Sequence, residues 1–361
     1  MKLISLVKEI LNHKNEKEIA RDLNVAVGTV KRWLLLDNVP SQYYLDLTRI
    51  SGKEVDLGDL TYRDKDQFFT PTTTASQCFD VFKELLKDLG LEEEDMNYIE
   101  PSAGSGSFFN ILPDDRKIGI DIEPRCAGLE KANFLDWLPK TKENNVVIGN
   151  PPFGLRGNLA LRFMNHAATF ADFVVFILPQ LFESDGKGSP YGRVKGLNLL
   201  HSQRVSSDFS YPDGKGVKVN AVFQVWSKNF GSKEETKSCK EFIKVLSLSD
   251  GGSPSTTRNK DWLDKCDAYL PSTCYGSKNM KMYSSFEDLP NRKGYGIVFL
   301  KEERFLKSVF RNADWSKVAF ESTNSALNLR TSIICNHVAE SMAQNTSAPV
   351  AQETEQVASN H

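Results

Sequence analysis

No apolar run in this sequence approaches the roughly 18 residues of a membrane-spanning helix, so no membrane span is expected. The start of the chain, "MKLISLVKEILNHKNEKEIA", is an amphipathic, charged helix pattern. The apolar stretch and small-residue cleavage site of a secretory leader are missing from it. Cysteine is sparse and scattered: Cys78, Cys126, Cys239, Cys266, Cys274 and Cys335 form no C-x-x-C pair. That argues against a zinc site or a disulfide frame, and predicts reduced thiols in a cytoplasmic or other reducing intracellular compartment. Charge of one sign is not in excess, the formal net charge being −2. A nucleic-acid partner would therefore need Lys and Arg gathered on one face. There is no Gly-Lys-Ser/Thr of a P-loop, no third glycine at dinucleotide spacing, and no internal repeat.

What is present is ordinary globular composition, 40% hydrophobic and 25% charged over 361 residues, enough for about two domains. Residues 1–50 are expected to form a small helical module. Within it, "EKEIARDLNVAVGTVKRWLLL" (16–36) predicts two short helices joined by a tight turn. Ile19, Ala20 and Leu23 form the apolar face of the first helix; Val30, Trp33 and Leu34 form that of the second. Asn24 sits at the turn, where a left-handed conformation is tolerated. The spacing resembles the helix-turn-helix of DNA-binding regulators, with Gly28, Thr29, Lys31 and Arg32 outward on the second helix. Thr29, Lys31 and Arg32 are the candidate DNA contacts; a helical module without DNA contact is the bland alternative.

Residues 51–67 are polar and turn-rich and read as a linker. Beyond them, a helix is expected over Thr74–Leu89, ended by Gly90. "MNYIEPSAGSGSFFNIL" reads as strand, glycine turn and helix start. "KIGIDIEP" and "NNVVIGNPPFG" end two more strands, Leu159–Thr169 is a helix, and "FADFVVFILP" is a buried strand. This alternation predicts an α/β fold with a doubly wound, mostly parallel sheet over 68–230. "QLFESDGKGSPYGRVKGLN" then reads as a mobile loop, and "VKVNAVFQVWSK" as a strand. Residues 231–260 read as a polar connection, 261–340 as an α+β region suited to target recognition, and 341–361 as a disordered tail.

Two stretches carry chemistry. In "EPSAGSGSF", Gly104 and Gly106 allow a sharp turn and close approach of a ligand to the main chain. About 20 residues on, strand two ends in "GIDIEP", where a carboxylate can accept both hydroxyls of a ribose. Asp121 is placed for this, with Glu123 as its competitor. In "NVVIGNPPFGLRGN", two prolines stop a buried strand just after Asn150. In an open α/β sheet, that edge is where ligands bind.

"FTP" (Phe69–Pro71), "EPSAGSGSF", "GIDIEP", "ANFLDW" and "GNPPFG" occur in one order. In that order and spacing the chain resembles the adenine-specific amino-methyltransferases of restriction–modification type, with the motif order of their gamma group. The resemblance spans roughly Gln67 to Lys228 and leaves out the N-terminal helices. It implies a Rossmann-like class I methyltransferase fold, S-adenosylmethionine as cofactor and DNA as partner; a partner nuclease leaves no trace in the sequence. It also implies site residues. Thr70 would contact the cofactor carboxylate. Glu100, Ala103, Gly104 and Gly106 would surround its methionine part. Asp121 would bind the ribose, and Phe134 would pack on the adenine ring. Asn133 stands where many relatives carry Asp; its amide oxygen can still accept from the cofactor's amino group.

The chemistry so implied is methylation of an exocyclic amine, whose lone pair is delocalised into the ring. The Asn150 side-chain oxygen and the Pro151 carbonyl would accept from its two N–H groups. They would aim the lone pair at the methyl donor, with Pro151 and Pro152 holding the backbone rigid. The target base must leave the duplex. Phe153 would give it one flat face and Tyr211 the other, with Phe209 as competitor. A cytosine-ring enzyme would need a nucleophilic cysteine, usually in Pro-Cys, and that dipeptide is absent. The same N-P-P-aromatic pattern serves RNA, cytosine N4 and protein glutamine; a non-catalytic DNA-binding regulator is the alternative from outside enzymology.

Overall fold

A computed structural model of the chain describes residues 3–23, 25–40, 43–53, 68–141, 143–184, 189–205, 208–231, 239–253, 256–321 and 326–347. Asn24, nearly all of the expected linker and residues 348–361 of the expected tail lie outside these. Among the described residues no helix is long and apolar enough to cross a membrane. The chain divides into two compact units, Met1–Ser232 and Lys233–His361.

The first unit begins with four helices, α1 (Leu3–Ile10), α2 (Glu16–Asp22), α3 (Val27–Leu36) and α4 (Tyr44–Ile50). Asn15 caps α2: its side-chain oxygen accepts from the Lys17 and Glu18 amides, and Glu18 reaches back to the Asn15 amide. Ile19, Ala20, Leu23, Val30 and Trp33 meet in one apolar cluster with α1 and α4. Thr29 is half-buried on α3, while Lys31 and Arg32 are exposed. Lys31 lies 3.7 Å from the Glu16 carboxylate.

After α5 (Thr72–Asp88) comes a seven-stranded sheet. Its strands are β1 (Asn97–Glu100), β2 (Lys117–Asp121), β3 (Glu130–Lys131), β4 (Asn145–Gly149), β5 (Phe173–Pro179), β6 (Asn198–Arg204) and β9 (Ala221–Ser227). A small antiparallel hairpin, β7 (Asp208–Ser210) and β8 (Gly216–Lys218), stands apart. The spatial order is β3-β2-β1-β4-β5-β9-β6. The first five strands pair in parallel; β9 pairs antiparallel to both β5 and β6. The order runs one way from β1 to β3 and the other way from β1 through β4 to β5, so the winding reverses between β1 and β4. The carboxyl ends of these two strands therefore open a crevice.

Period-two alternation sorts the side chains onto two faces. Tyr98, Val146, Ile148, Val175 and Phe223 pack on one side with Phe79 and Phe82 of α5. Ile99, Ile120, Val147, Val174 and Phe176 pack on the other with α6 (Asn158–Ala167). Both faces are covered, so β4, β5 and β9 are buried along their whole length.

Helices are fewer than the alternation predicts. No α-helix follows the glycine turn; two 3-10 turns, Phe109–Ile111 and Asp114–Arg116, stand there with Pro113 between them. The two expected helices shift by one or two residues, to Thr72–Asp88 and Asn158–Ala167.

The second unit holds two three-stranded antiparallel sheets. One is β10 (Ile243–Ser249), β13 (Lys293–Phe299) and β11 (Ala268–Pro271); the other is β12 (Thr273–Tyr275), β15 (Ala326–Asn328) and β14 (Phe320–Glu321). Helices α7 (Glu303–Asn312), α8 (Trp315–Val318) and α9 (Thr331–Ser347) complete it. Three expectations are corrected here. The stretch 231–260 is not merely a connection, because β10 pairs along all seven of its residues with β13. Lys244, Ser247 and Ser249 had disguised its buried Ile243 and Leu248. The tail does not begin at Ser341: α9 continues to Ser347, with Met342 packed against the core. Finally, Cys239 and Cys335 are disulfide-bonded across 96 residues, so not all six cysteines are free thiols. Only the fold brings their Cα atoms to 5.0 Å.

Candidate functional site

The crevice between β1 and β4 is a real cleft. From the candidate residues it gathers Thr70, Glu100, Ala103, Gly104, Asp121, Asn133, Phe134, Asn150 and Pro152. Glu123 lines it too. Pro151, Phe153, Gly106 and Tyr211 do not.

The glycine turn leaves β1 after Glu100. Gly104 has φ +49°, and a Cβ there would stand 3.1 Å from the Phe69 ring. Gly106 has φ +84°, and a Cβ would come within 2.9 Å of Asn110 and Cys126. Gly106 is thus demanded by loop packing, whereas Gly104 faces the cleft.

Glu100 is buried, and its Oε2 has no hydrogen-bond partner among the described residues. Burial pushes its carboxyl well above the usual carboxylate range, and the nearby Asp121 charge adds to the rise. Hydrogen bonds from the Phe109 and Phe108 amides oppose it. A cationic ligand in the cleft would oppose this rise by pairing the carboxylate.

Asp121 ends β2 with both carboxylate oxygens already engaged. Oδ2 accepts from the Gly104 amide at 2.7 Å and Oδ1 from the Glu123 amide at 2.7 Å. The carboxylate therefore ties the glycine turn to the second strand. Each oxygen keeps a further lone pair for a ligand hydroxyl. Glu123, the competitor, forms an ion pair with Arg125 at 3.0 Å.

Asn133 caps the turn that follows it: its oxygen accepts from the Leu135 amide at 3.3 Å, and its Nδ2 donates to Asp136 at 2.5 Å. Phe134 is buried among Phe163, His166, Phe170 and Trp137, with ring centroids 5.0–6.5 Å away.

Asn150 follows β4 directly. Its Nδ2 donates to the Phe68 carbonyl at 3.1 Å. Its Oδ1 is buried and has no hydrogen-bond partner among the described residues. The two amide ends are distinguished by this network, since only the nitrogen can donate to a carbonyl. Its main-chain carbonyl accepts from Ser102 Oγ at 3.1 Å, which joins the β4 end to the glycine turn. Phe153 is buried and its carbonyl accepts from the Leu159 and Ala160 amides, so the N-P-P-F loop runs straight into α6. Of the two stacking candidates downstream, Phe209 lies in the core and Tyr211 is half-buried.

Sequence reasoning missed several of the lining residues. Leu45 and Arg49, one turn apart on α4, line the cleft; no local pattern links a helix near the N-terminus to a strand end a hundred residues later. Phe68 lines it as well and carries the Asn150 contact. Its position just before "FTP" was a usable signal.

Fold and site together define an α/β protein with a ligand cleft at the switch point of its sheet. No family model matches the chain, and no curated protein matches it. Among solved structures it is similar to a candidate RNA methyltransferase from Pyrococcus horikoshii, at 19% identity and a TM-score of 0.34, covering 45% of this chain and 88% of that one. It is also similar to the modification subunit of a candidate type I restriction enzyme from Vibrio vulnificus, at 11% identity and a TM-score of 0.32, covering 57% and 56%. The type IIL restriction–modification enzyme MmeI, solved in complex with DNA, is similar at 12% identity and a TM-score of 0.32, covering 66% of this chain and 48% of its own. This chain thus spans about half the length of the last two. At such scores these likenesses carry no weight for its chemistry.

Proposed function

We propose that the chain is an S-adenosylmethionine-dependent methyltransferase acting on the exocyclic amine of adenine in DNA. The observation that carries this is Asn150. A buried side-chain oxygen without a donor costs about 1–3 kcal/mol, and at the edge of a cleft an incoming donor can satisfy it. The donor must be an N–H or O–H brought to the end of β4. The resemblance of "GNPPFG" to the amino-methyltransferase motif makes it the target amine.

The cofactor fits the cleft's donor set. Glu100 offers a buried, unpaired carboxyl oxygen to a cationic methionine part. Asp121 or Glu123 would accept from ribose hydroxyls, Thr70 would meet the carboxylate, and Phe134 would flank the adenine ring. When bound, the cofactor supplies an electrophilic methyl group. The chain's own part is to hold and aim the nucleophile. Asn150 Oδ1 accepts from one N–H and the Pro151 carbonyl from the other, drawing the nitrogen toward tetrahedral geometry. Phe153 and Tyr211 supply the aromatic faces for a base taken out of its helix. Thr29, Lys31 and Arg32 on α3 are the proposed DNA contacts of the N-terminal helices.

Purified protein incubated with tritiated S-adenosylmethionine and, in parallel, DNA, RNA or protein tests the proposal. Label on DNA supports it. Label on RNA or protein alone keeps the chemistry and overturns the substrate, and no label on any acceptor overturns the enzyme.

A further inference from the structure

Phe68 lies beside three residues of the proposed base slot, Asn150, Phe153 and Tyr211. Its ring centroid lies 6.3 Å from that of Phe153 and 5.7 Å from that of Tyr211, tilted by 41° and 40°. It is half-buried and lines the cleft beside Asn150 and Pro152. Its carbonyl accepts the Asn150 amide, which leaves Oδ1 as the atom without a partner. The next residue pins the backbone: Phe69 N–H donates to the Ser210 carbonyl at 2.7 Å, and Ser210 N–H donates back to the Phe69 carbonyl at 3.1 Å. The neighbour after that, Thr70, is buried.

These contacts separate what can move from what cannot. The backbone of Phe68 is held on one side by Asn150 and on the other by the Phe69–Ser210 bridge. The ring is only half-buried at the edge of the core, where a change of side-chain rotamer would carry it away from the cleft. It stacks on neither aromatic neighbour, because both interplanar angles are near 40°. The ring thus stands next to both aromatic side chains proposed to hold the base.

We propose that Phe68 is a specificity-determining residue of the base slot. Its ring fills the slot between Phe153 and Tyr211 until an arriving base turns it aside, and then forms a third wall against the base. Its pinned carbonyl meanwhile keeps the Asn150 oxygen aimed at the amine. This rests on the methyltransferase proposal above. A slot closed by a ring favours a base that stacks strongly, and rejects one too small to hold the ring aside.

The test uses the full chain carrying Phe68→Ala, Phe68→Leu or Phe68→Tyr. Tritiated S-adenosylmethionine and unmethylated double-stranded DNA of mixed sequence are the probes. Single-turnover rate, cofactor affinity by calorimetry, and the ratio of labelled adenine to labelled cytosine are read together. Phe68→Ala should slow transfer about ten-fold, the scale of one lost base–aromatic stack, and shift label toward cytosine. Cofactor affinity should fall by clearly less than the rate does, and Phe68→Tyr should restore rate and ratio to near the wild type. If Phe68→Ala does not fold, Phe68→Leu serves in its place. Unchanged rate and ratio in a folded variant overturn the proposal, as does a loss of cofactor affinity that matches the loss of rate. A wild-type protein that labels no DNA overturns the methyltransferase proposal itself, and this inference with it.

Discussion

Two polar side chains stand at the ends of the strands that flank β1 and differ in one respect. Asp121, at the end of β2, has both oxygens bonded to main-chain amides. Asn150, after β4, has its nitrogen bonded and its oxygen empty. The first is chiefly a builder, holding the glycine turn in shape. The second is held in place but unsatisfied. The difference separates a side chain that builds the cleft from one whose oxygen is left for the amine in the proposed function.

The sharpest way to break this comparison is to remove each side chain in turn. Asn150→Ala deletes an oxygen that no described residue uses, together with one amide hydrogen bond to the Phe68 carbonyl, so stability should fall by only about 1 kcal/mol and cofactor affinity should stay near wild type. Methyl transfer should fall on the order of 100-fold, the scale of one preorganised polar contact at a transition state. Asn150→Asp should do less damage, since a carboxylate also accepts. If Asn150→Ala instead unfolds the protein, its role is structural and the contrast with Asp121 disappears.

Asp121→Ala should behave in the opposite way. It strands the Gly104 amide and removes hydrogen bonds to a charged acceptor worth about 1.5–3 kcal/mol each. Thermal stability and cofactor affinity should fall together, by roughly ten-fold or more in affinity. A folded Asp121→Ala protein with unchanged affinity by calorimetry would pass the ribose role to Glu123.

Glu100 offers a test by pH. Its carboxyl titrates well above the ordinary range when folded, so the folded state binds more protons than the unfolded state from about pH 4.3 upward. Stability should therefore decline as pH rises from there toward the raised folded value. Glu100→Gln should remove that slope, which denaturant titrations at several pH values will show. In the wild type, binding of a cationic cofactor should release protons and strengthen as pH rises. A wild-type stability that climbs with pH across the same window would mean that Glu100 is ionised in the cleft.

The smallest effect is expected on α3. Lys31 is exposed and only loosely paired with Glu16 at 3.7 Å. Lys31→Ala should weaken binding to all DNA sequences alike and reduce the salt slope by about one unit. An unaltered slope in fluorescence anisotropy would remove α3 from the DNA face.

Much of this contrast was legible before any fold was known, and for a local reason. A strand end, a glycine turn and a proline stop are written in adjacent residues. Hence "EPSAGSGSF", "GIDIEP" and "GNPPFG" pointed to one edge of a parallel sheet. What could not be read was set by long-range packing. The engagement of both Asp121 oxygens depends on Gly104, seventeen residues earlier. The Asn150 amide depends on Phe68, eighty-two residues earlier. Cys239 meets Cys335 only because the second unit folds them together. β10 escaped notice because its polar residues interrupt an apolar alternation completed only by pairing with β13. Gly106 illustrates the middle case: its need for a glycine was legible, but the cause is Asn110 and Cys126 rather than a ligand.

The most direct test of the central claim is the chemical position of the transferred methyl group. Unmethylated DNA is incubated with tritiated S-adenosylmethionine and either wild-type or Asn150→Ala protein, then digested to nucleosides and separated. The account predicts label in N6-methyl-2′-deoxyadenosine from the wild type, and label reduced on the order of 100-fold from a variant that still binds cofactor. Label of equal strength from both proteins, or confined to a nucleoside other than deoxyadenosine, would contradict it.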